Sequence, residues 1–322
     1  MSGEEGFHVP VLLEETLSLL DIRPGGTYVD TTMGGGGHFR AIAQRLSGGG
    51  TLIGLDRDPE AIAWNRQHRP STEADVRIAL ARFSTLEDVL AREGAGKVDG
   101  IVADLGMSSH QLDSSTRGFS YMREAFLDMR MDPEVSLTAS ALISDSDAKK
   151  LADILAHCGE IRNPGRMAGV LKRCADRHRG RGLTSSRLKD CLRSEYGSRL
   201  GYTMLAKLFQ ALRITVNDEL GELRALMGSI PRCLGAGGTA AVISYHSLED
   251  RIVKQCFVDE ERGCVCDRRI PRCVCGRTST LKRITRKPIR PAAPEIQQNP
   301  RARSARLRAA RRTHLNGEAA YQ

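Results

Sequence analysis

The stretch Thr27–His38, TYVDTTMGGGGH, read together with LIGLDRD at Leu52–Asp58, decides the fold. Tyr28 and Val29 carry the aromatic and β-branched bias of a short buried strand, and four glycines in a row, Gly34–Gly37, come next. Glycine lets backbone approach a ligand where any Cβ would clash. The helix pattern HFRAIAQRL (His38–Leu46) follows at once. Strand, glycine turn and helix start together present backbone N–H groups to a nucleotide-like ligand. Asp56 ends the next apolar run about twenty residues on, where a carboxylate can accept hydrogen bonds from ribose hydroxyls. The ligand therefore carries a ribose.

What the loop lacks narrows the ligand. A dinucleotide fingerprint needs glycine at three spaced positions; counted from Gly34 and Gly36 the third falls on Phe39, and from Gly35 and Gly37 on Arg40. NAD fits poorly, and no GxxxxGK[ST] follows any strand. An acid at the first strand end (Asp30) before a glycine cluster, with a second acid ending the next strand, is the arrangement of S-adenosylmethionine (SAM) methyltransferases. A glycine run alone is compatible with a simple tight turn; the second acid at the right distance favours a cofactor site.

At 322 residues and 40% hydrophobic content, the chain can bury a full core and is long enough for two domains. The start MSGEEGFHVP has acids where a signal peptide needs positive charge, and no apolar run approaches membrane-spanning length, which predicts a cytoplasmic protein without membrane association. Its nine cysteines are then expected to be reduced, without disulfides. The formal charge of +9 is unevenly spread: Arg262–Arg312 holds 16 Lys/Arg against two acids, and Glu160–Arg213 holds 13 against four. Two basic segments on an otherwise acidic chain suit a polyanion held at defined places, although a solvated basic tail has the same composition.

In order, a helix over Val9–Leu20 leads into strand Thr27–Asp30, helix Phe39–Leu46, strand Thr51–Asp56, helix Pro59–Arg69, strand Val76–Leu80, helix Thr85–Glu93 and strand Val98–Ala103, closed by Asp104. This alternation predicts an α/β fold with a parallel, doubly wound sheet, in which ligands sit beyond the carboxyl ends of the strands, where Asp30, Asp56 and Asp104 fall. Phe83, just past the third strand, suits either a flat ligand ring or the core. From about Ser114 to Leu212 helical patterns run without a strand, then a helix Ile214–Met227, a Gly235–Gly238 loop and strand Thr239–Ser244 restore the alternation. Tyr245-His246-Ser247 leads into another helix. Residues 1–113 and 213–322 thus read as a discontinuous cofactor domain with a basic C-terminal segment 262–322, and 114–212 as an inserted helical domain. Pro288–Pro300 reads as extended, and Ser304–Arg312 as a final strand or helix. Cys264, Cys266, Cys273 and Cys275 form CxC-x6-CxC, four thiols able to close a tetrahedral zinc site; the spacing is unlike the usual CxxC knuckles, so no metal is assigned.

Several blocks together resemble one family, the bacterial 16S rRNA cytosine-N4 methyltransferases called RsmH or MraW. They are HVPVLLEE (His8–Glu15), DTTMGGGGH with LDRDPEAI, DLGMSSHQLD with RGFSYM and LDMRMDP, and SYHSLEDRIVK with NPRARSARLR, spanning His8 to Arg308. The resemblance implies a Rossmann-like SAM-methyltransferase sheet with an inserted, mostly helical substrate domain. It also implies a substrate: the exocyclic N4 of one decoding-centre cytidine in 16S rRNA of the small ribosomal subunit. Cofactor contacts carry over to Gly36, Gly37, His38, Asp56, Phe83, Asp104 and Gln111. Two departures stand out: the residue after the loop histidine, usually small and hydroxylated, is Phe39, and the family's arginine- and threonine-bearing lead into FQALRI reads MLAKLFQ.

A cytosine amine is a weak nucleophile because its lone pair is delocalised, so catalysis must align N4 behind the sulfonium methyl and help the amine pyramidalise. Asp104 and His246 are the candidates, with Asp104 also suited to the methionine amino group of SAM; Ser108 and Ser109 could hydrogen-bond the base. The base must be unstacked to reach the cofactor. Two other readings share the loop: a SAM methyltransferase on another nucleic acid or a small molecule, and a non-catalytic rRNA-binding assembly factor. The sequence permits a homodimer without requiring one.

Overall fold

The computed structural model describes residues 10–46, 48–108, 111, 116–264, 266–267, 269, 272 and 274–314. The chain divides into two compact units, one of Met1–Gly106 with Gly221–Gln322 and one of Met107–Leu220. These boundaries lie seven and eight residues outside the expected 113/114 and 212/213, the first because the insertion begins as soon as the fourth strand has ended.

The first unit is built on a seven-stranded sheet. Its strands are β1 (Thr27–Asp30), β2 (Thr51–Asp56), β3 (Asp75–Leu80), β4 (Val98–Asp104), β5 (Leu234–Ser244), β6 (Leu281–Arg283) and β7 (Arg306–Arg312). Their order is β3-β2-β1-β4-β5-β7-β6. β1 to β5 run parallel, while β7 is antiparallel to both β5 and β6. This is the Rossmann-like, doubly wound sheet the sequence predicted. Parallel strands are covered on both faces, so both alternating sets of side chains are apolar. Val29, Ile53, Leu55, Ile101, Ala103 and Val242 belong to one core, which also contains residues of α4 (Leu86–Arg92), α10 (Glu219–Cys233) and α11 (Ser247–Arg262). Tyr28, Leu52, Val102, Ala241 and Ile243 belong to the other, which includes residues of α1 (Leu13–Leu20), α2 (Gly37–Arg45) and α3 (Pro59–Gln67). Strand order reverses between β1 and β4, the switch point at which such sheets open a crevice beyond their carboxyl ends.

Three local expectations change. Gly235–Gly238 is not a separate loop: it lies within β5 as an irregularity whose register jumps opposite Val98/Gly100. There Gly237 has φ +78°, and a Cβ on Gly238 would meet the Val98 and Asp99 carbonyls at 2.9 and 3.0 Å. Residues Ala293–Gln298 of the proline-rich stretch form a short helix, α12, with proline in its first turn. The helix expected over Ile214–Met227 breaks at Asn217-Asp218, where Asp218 adopts φ +47°. Asn217 explains the break, since its buried amide donates to the Met129 carbonyl at 2.7 Å and accepts from the Met131 amide at 2.9 Å.

The second unit is helical, with α5 (Ala139–Asp145), α6 (Ala148–His157), α7 (Pro164–Arg177), α8 (Ser185–Tyr196) and α9 (Tyr202–Val216) around a core that includes Leu127, Met129, Leu151, Leu155, Leu171, Leu188, Leu192, Leu208 and Leu212. Thr138, Asp147 and Thr184 cap α5, α6 and α8 through their side-chain oxygens. Contrary to the expectation of reduced thiols, Cys174 on α7 is joined to Cys191 on α8. The two face each other inside the core with Cα atoms 5.9 Å apart, so packing has already brought them within bonding span whatever the compartment. Among the described residues, no helix is long and apolar enough to cross a membrane.

The last strand is held to the sheet unit by charge. Asp250 on α11 accepts from Arg308 Nε at 2.6 Å, Arg308 Nη2 at 3.2 Å and Arg306 Nη1 at 3.0 Å. Burial opposes its ionisation, but the two arginines win and hold its carboxyl below the ordinary carboxylate range. A depressed carboxylate pKa contributes stability above the ordinary range and loses it as pH falls through the folded value. Asp250→Asn leaves the buried Arg308 guanidinium unpaired and should cost about 3 kcal/mol in urea unfolding at neutral pH. The gap to the parent should narrow in acid, and a constant gap would place the effect elsewhere.

Candidate functional site

The crevice at the switch point is lined by the glycine loop and by acids that end three neighbouring strands. Gly34 and Gly36 sit at φ +49° and +80°, in the left-handed region that other residues enter at a cost. A Cβ on Gly36 would meet Asn65 Oδ1 at 2.0 Å and Arg40 Nη1 at 2.5 Å, and one on Gly37 would strike Pro10 at 2.9 Å. The loop's carbonyls are engaged from behind: Asn65 Nδ2 donates to Gly34 O at 2.8 Å and Arg40 Nη2 to Gly35 O at 2.5 Å. α2 then starts at Gly37, and the Phe39 amide of its first turn is met by the Asp30 carboxylate. Phe39, the departure after the loop histidine, is fully buried, and its ring lies where a Cβ on Gly54 would come within 2.6 Å. The large side chain therefore packs against the sheet at Gly54.

The acids shape the electrostatics. Asp56 Oδ2 accepts from the Gly34 amide at 2.7 Å and Oδ1 from the Asp58 amide at 2.8 Å, so this carboxylate fixes the loop. Asp30 accepts from the Thr32 amide at 3.1 Å. Asp104 is tied by its backbone amide to Thr32 Oγ1 at 2.6 Å and accepts the Tyr245 hydroxyl at 2.8 Å. Burial pushes Asp30 up to about 8, Asp104 to about 7 and Asp56 to about 6. The Thr32 amide opposes the shift at Asp30, the Tyr245 hydroxyl opposes it at Asp104, and the Asp58 and Gly34 amides oppose it at Asp56. A carboxyl whose folded pKa is raised stabilises the fold below the ordinary carboxylate range, and that stability drains as pH rises through the folded value. Near neutrality the site thus carries unfavourable, partly ionised carboxylates, which favours a ligand bearing positive charge. Of these acids Asp104 keeps a quarter of its side chain exposed, whereas Asp30 is buried at 2%.

His38 is held inward. Its Nε2 lies 3.2 Å from the Val11 carbonyl, which can only accept, so Nε2 carries the proton and Nδ1 is bare. Burial lowers its pKa to about 4, so the ring is neutral, and Nδ1 at 3.7 Å from Asp104 Oδ2 forms no ion pair.

The remaining expected site residues separate. Phe83 opens a short 3-10 turn at the carboxyl end of β3, partly buried against the sheet core. Gln111 and Ser108 belong to the second unit and fix each other: Gln111 Oε1 accepts the Ser108 amide at 3.1 Å, and Ser108 Oγ accepts the Gln111 amide at 3.2 Å. Ser109 lies outside the described residues. His246 stands at the carboxyl end of β5, but its Nδ1 accepts the Glu249 amide at 3.4 Å in a reciprocal capping box that starts α11. Its Nε2, 3.2 Å from Glu249 Oε1, makes no aligned hydrogen bond. Sequence reading passed over Tyr245, which precedes His246 and whose phenol reaches Asp104 directly; its place at the end of a strand was the available signal. Three thiols, those of Cys264, Cys266 and Cys275, converge to within 4.8 Å of one another, as a metal-ligand set would.

The chain is similar to known proteins over nearly its whole length. The model of the MraW methylase family matches residues 5–313. "Ribosomal RNA small subunit methyltransferase H" of Heliobacterium modesticaldum is 45% identical over 308 residues, covering 94% of this chain and 97% of that protein. The protein of the same name from Symbiobacterium thermophilum is 42% identical over 317 residues, covering 97% and 98%. That of Geobacter sulfurreducens is 43% identical over 309 residues, covering 94% and 98%. With its glycine loop, strand-end acids and nearly full-length match, the chain belongs to the MraW methylase family.

Proposed function

We propose that this protein is an S-adenosylmethionine-dependent rRNA methyltransferase that transfers a methyl group to the exocyclic N4 of a decoding-centre cytidine of 16S rRNA within the small ribosomal subunit. The observation that carries the reading is the bare-backbone loop pinned by Asp56 beside the ionisable Asp104 at the switch point of a Rossmann-like sheet. SAM supplies the electrophilic methyl on a sulfonium; every other function falls to the chain's own groups. Backbone at Gly36 and Gly37 admits the donor where side chains would obstruct it. Asp56 has acceptor capacity left for ribose hydroxyls beyond its two amides. Asp104, oriented by the Tyr245 hydroxyl, receives the methionine ammonium, and Phe83 offers a ring face at the end of β3.

Methyl transfer needs N4 of cytosine aligned behind the sulfonium and one of its protons accepted as the new bond forms. His246 Nδ1 accepts the Glu249 amide, so Nε2 carries the ring proton and is assigned as a donor to the base, leaving the Asp104 carboxylate as the acceptor for an amine proton; Ser108 and Ser109 are further hydrogen-bonding groups for the base, with Gln111 fixing Ser108. The inserted helical unit, residues 107–220, is assigned to substrate recognition. Incubating the protein and labelled SAM with small subunits lacking the modification, then locating the label by mass spectrometry, tests the whole reading. A methyl on a cytosine N4 of assembled subunits is expected, and label on carbon, on another base or nowhere contradicts it.

Substitutions at three positions test the parts. Asp56→Ala should weaken SAM binding by about tenfold to a hundredfold in calorimetry, the worth of charged hydrogen bonds; unchanged affinity would move the ribose elsewhere. Because a cationic ligand group needs Asp104 ionised, SAM affinity should rise as pH climbs through about 7 and then level. Tyr245→Phe removes the bond that favours the ionised form, so its affinity profile should shift to higher pH, and a coincident profile would refute the coupling. His246→Asn preserves a good helix cap but removes Nε2, and should slow turnover with little change in stability or SAM affinity. If the Asn variant turns over normally while His246→Ala loses about 1 kcal/mol of stability, the histidine is a cap and nothing more.

A further inference from the structure

The loop between α11 and β6 carries chemistry that methyl transfer does not use. Its neck is closed by the chain itself. Gly263, after the last residue of α11, has φ +68°, and a Cβ there would strike the Thr278 and Ser279 backbone at 2.5 Å. The Thr280 amide donates to the Glu260 carbonyl at 3.1 Å, and the Glu260 carboxylate takes Arg277 at 3.2 Å together with the Thr280 hydroxyl. Inside the pinch, Cys264, Cys266 and Cys275 bring their sulfurs within 4.8 Å of one another. The Cys264–Cys275 separation is 3.8 Å. Thiolates placed tetrahedrally at about 2.3 Å from zinc stand about 3.8 Å apart, so this pair already spans a tetrahedral edge. The Val274 amide donates to Cys266 Sγ at 3.4 Å.

We propose that Cys264, Cys266 and Cys275 bind one zinc ion as thiolates, a structural site that staples the basic loop between α11 and β6. Three soft thiolates select zinc over the hard magnesium and calcium ions. Each thiol gives up its proton to solvent as its sulfur–zinc bond forms, and no electron changes hands, so the step needs no oxidant. The fourth coordination position is filled by water or a further donor; Cys273, the remaining thiol of the motif, lies outside the described residues.

The test uses the full chain, purified under reductant without chelator, with zinc as the probe. About one zinc per chain is expected, released by a mercurial that caps thiols. The Cys264→Ser/Cys275→Ser double variant should lose it, and Cys233→Ser, a buried thiol of α10, should keep it. Cobalt(II) exchanged into the unaltered protein should give a near-ultraviolet thiolate charge-transfer band and the intense visible absorption of a four-coordinate site, a readout independent of whether the double variant folds. Zinc-free protein that takes up none on reconstitution, a double variant that retains its zinc, a weak octahedral cobalt spectrum, or a Cys264–Cys275 disulfide found by peptide mapping under reductant would each overturn the proposal. None of these measurements involves SAM or RNA, so their failure leaves the methyltransferase reading standing.

Discussion

Two amide-to-carboxylate hydrogen bonds, Gly34 to Asp56 and Thr32 to Asp30, hold the glycine loop in the form from which the rest of the site follows. They matter because glycine loses more conformational freedom on ordering than any other residue. The acids that provide the bonds end adjacent parallel strands, so the sheet register sets the loop's shape. Asn65 and Arg40 complete the arrangement by engaging the carbonyl side of Gly34 and Gly35. The loop is thereby fixed before any ligand arrives, which cuts the entropy that binding would otherwise cost.

Where local pattern and tertiary structure agree, the sequence was sufficient. β1, β2 and β4 and their terminal acids could be read from short apolar runs closed by aspartate, because a parallel strand covered on both faces leaves a largely apolar signature. The helix break at Asn217 could not, because its cause is a pair of hydrogen bonds to Met129 and Met131, far away in sequence. The Cys174–Cys191 pairing was missed for a similar reason: compartment argues about thiols in general, while two facing helices decide about these two. At the end of β5 the reading singled out His246 and gave Tyr245 no role. Histidine is the usual proton carrier, so His246 drew attention, but helix-start chemistry claims its Nδ1 and the phenol of Tyr245 makes the bond to Asp104.

Charge counting also overstated what is available for an anionic partner. In the C-terminal segment Arg306 and Arg308 serve Asp250, Arg283 serves Glu261 and Arg277 serves Glu260. In the inserted unit Arg166 and Arg173 share Glu195, while Lys172, Lys189 and Lys207 donate to backbone carbonyls. Such pairs leave a net positive field but fewer uncommitted cations than the composition suggests. The C-terminal arginines are also part of a sheet: β7 lies between β5 and β6, so this stretch is framework as well as surface.

The raised carboxylates unite the fold with the proposed chemistry. A buried acid that resists ionisation is a cost in the ligand-free protein, and a donor with a sulfonium and an ammonium is the type of ligand that relieves it. Relief is greatest where the acid is accessible, which singles out Asp104 over Asp30. Asp30, nearly sealed from solvent, is better suited to holding the Thr32 amide than to meeting a ligand. Binding of a cation should therefore ionise Asp104 before it touches the charge state of Asp30, and the proton released on binding near neutral pH belongs to the strand that ends where the inserted unit begins.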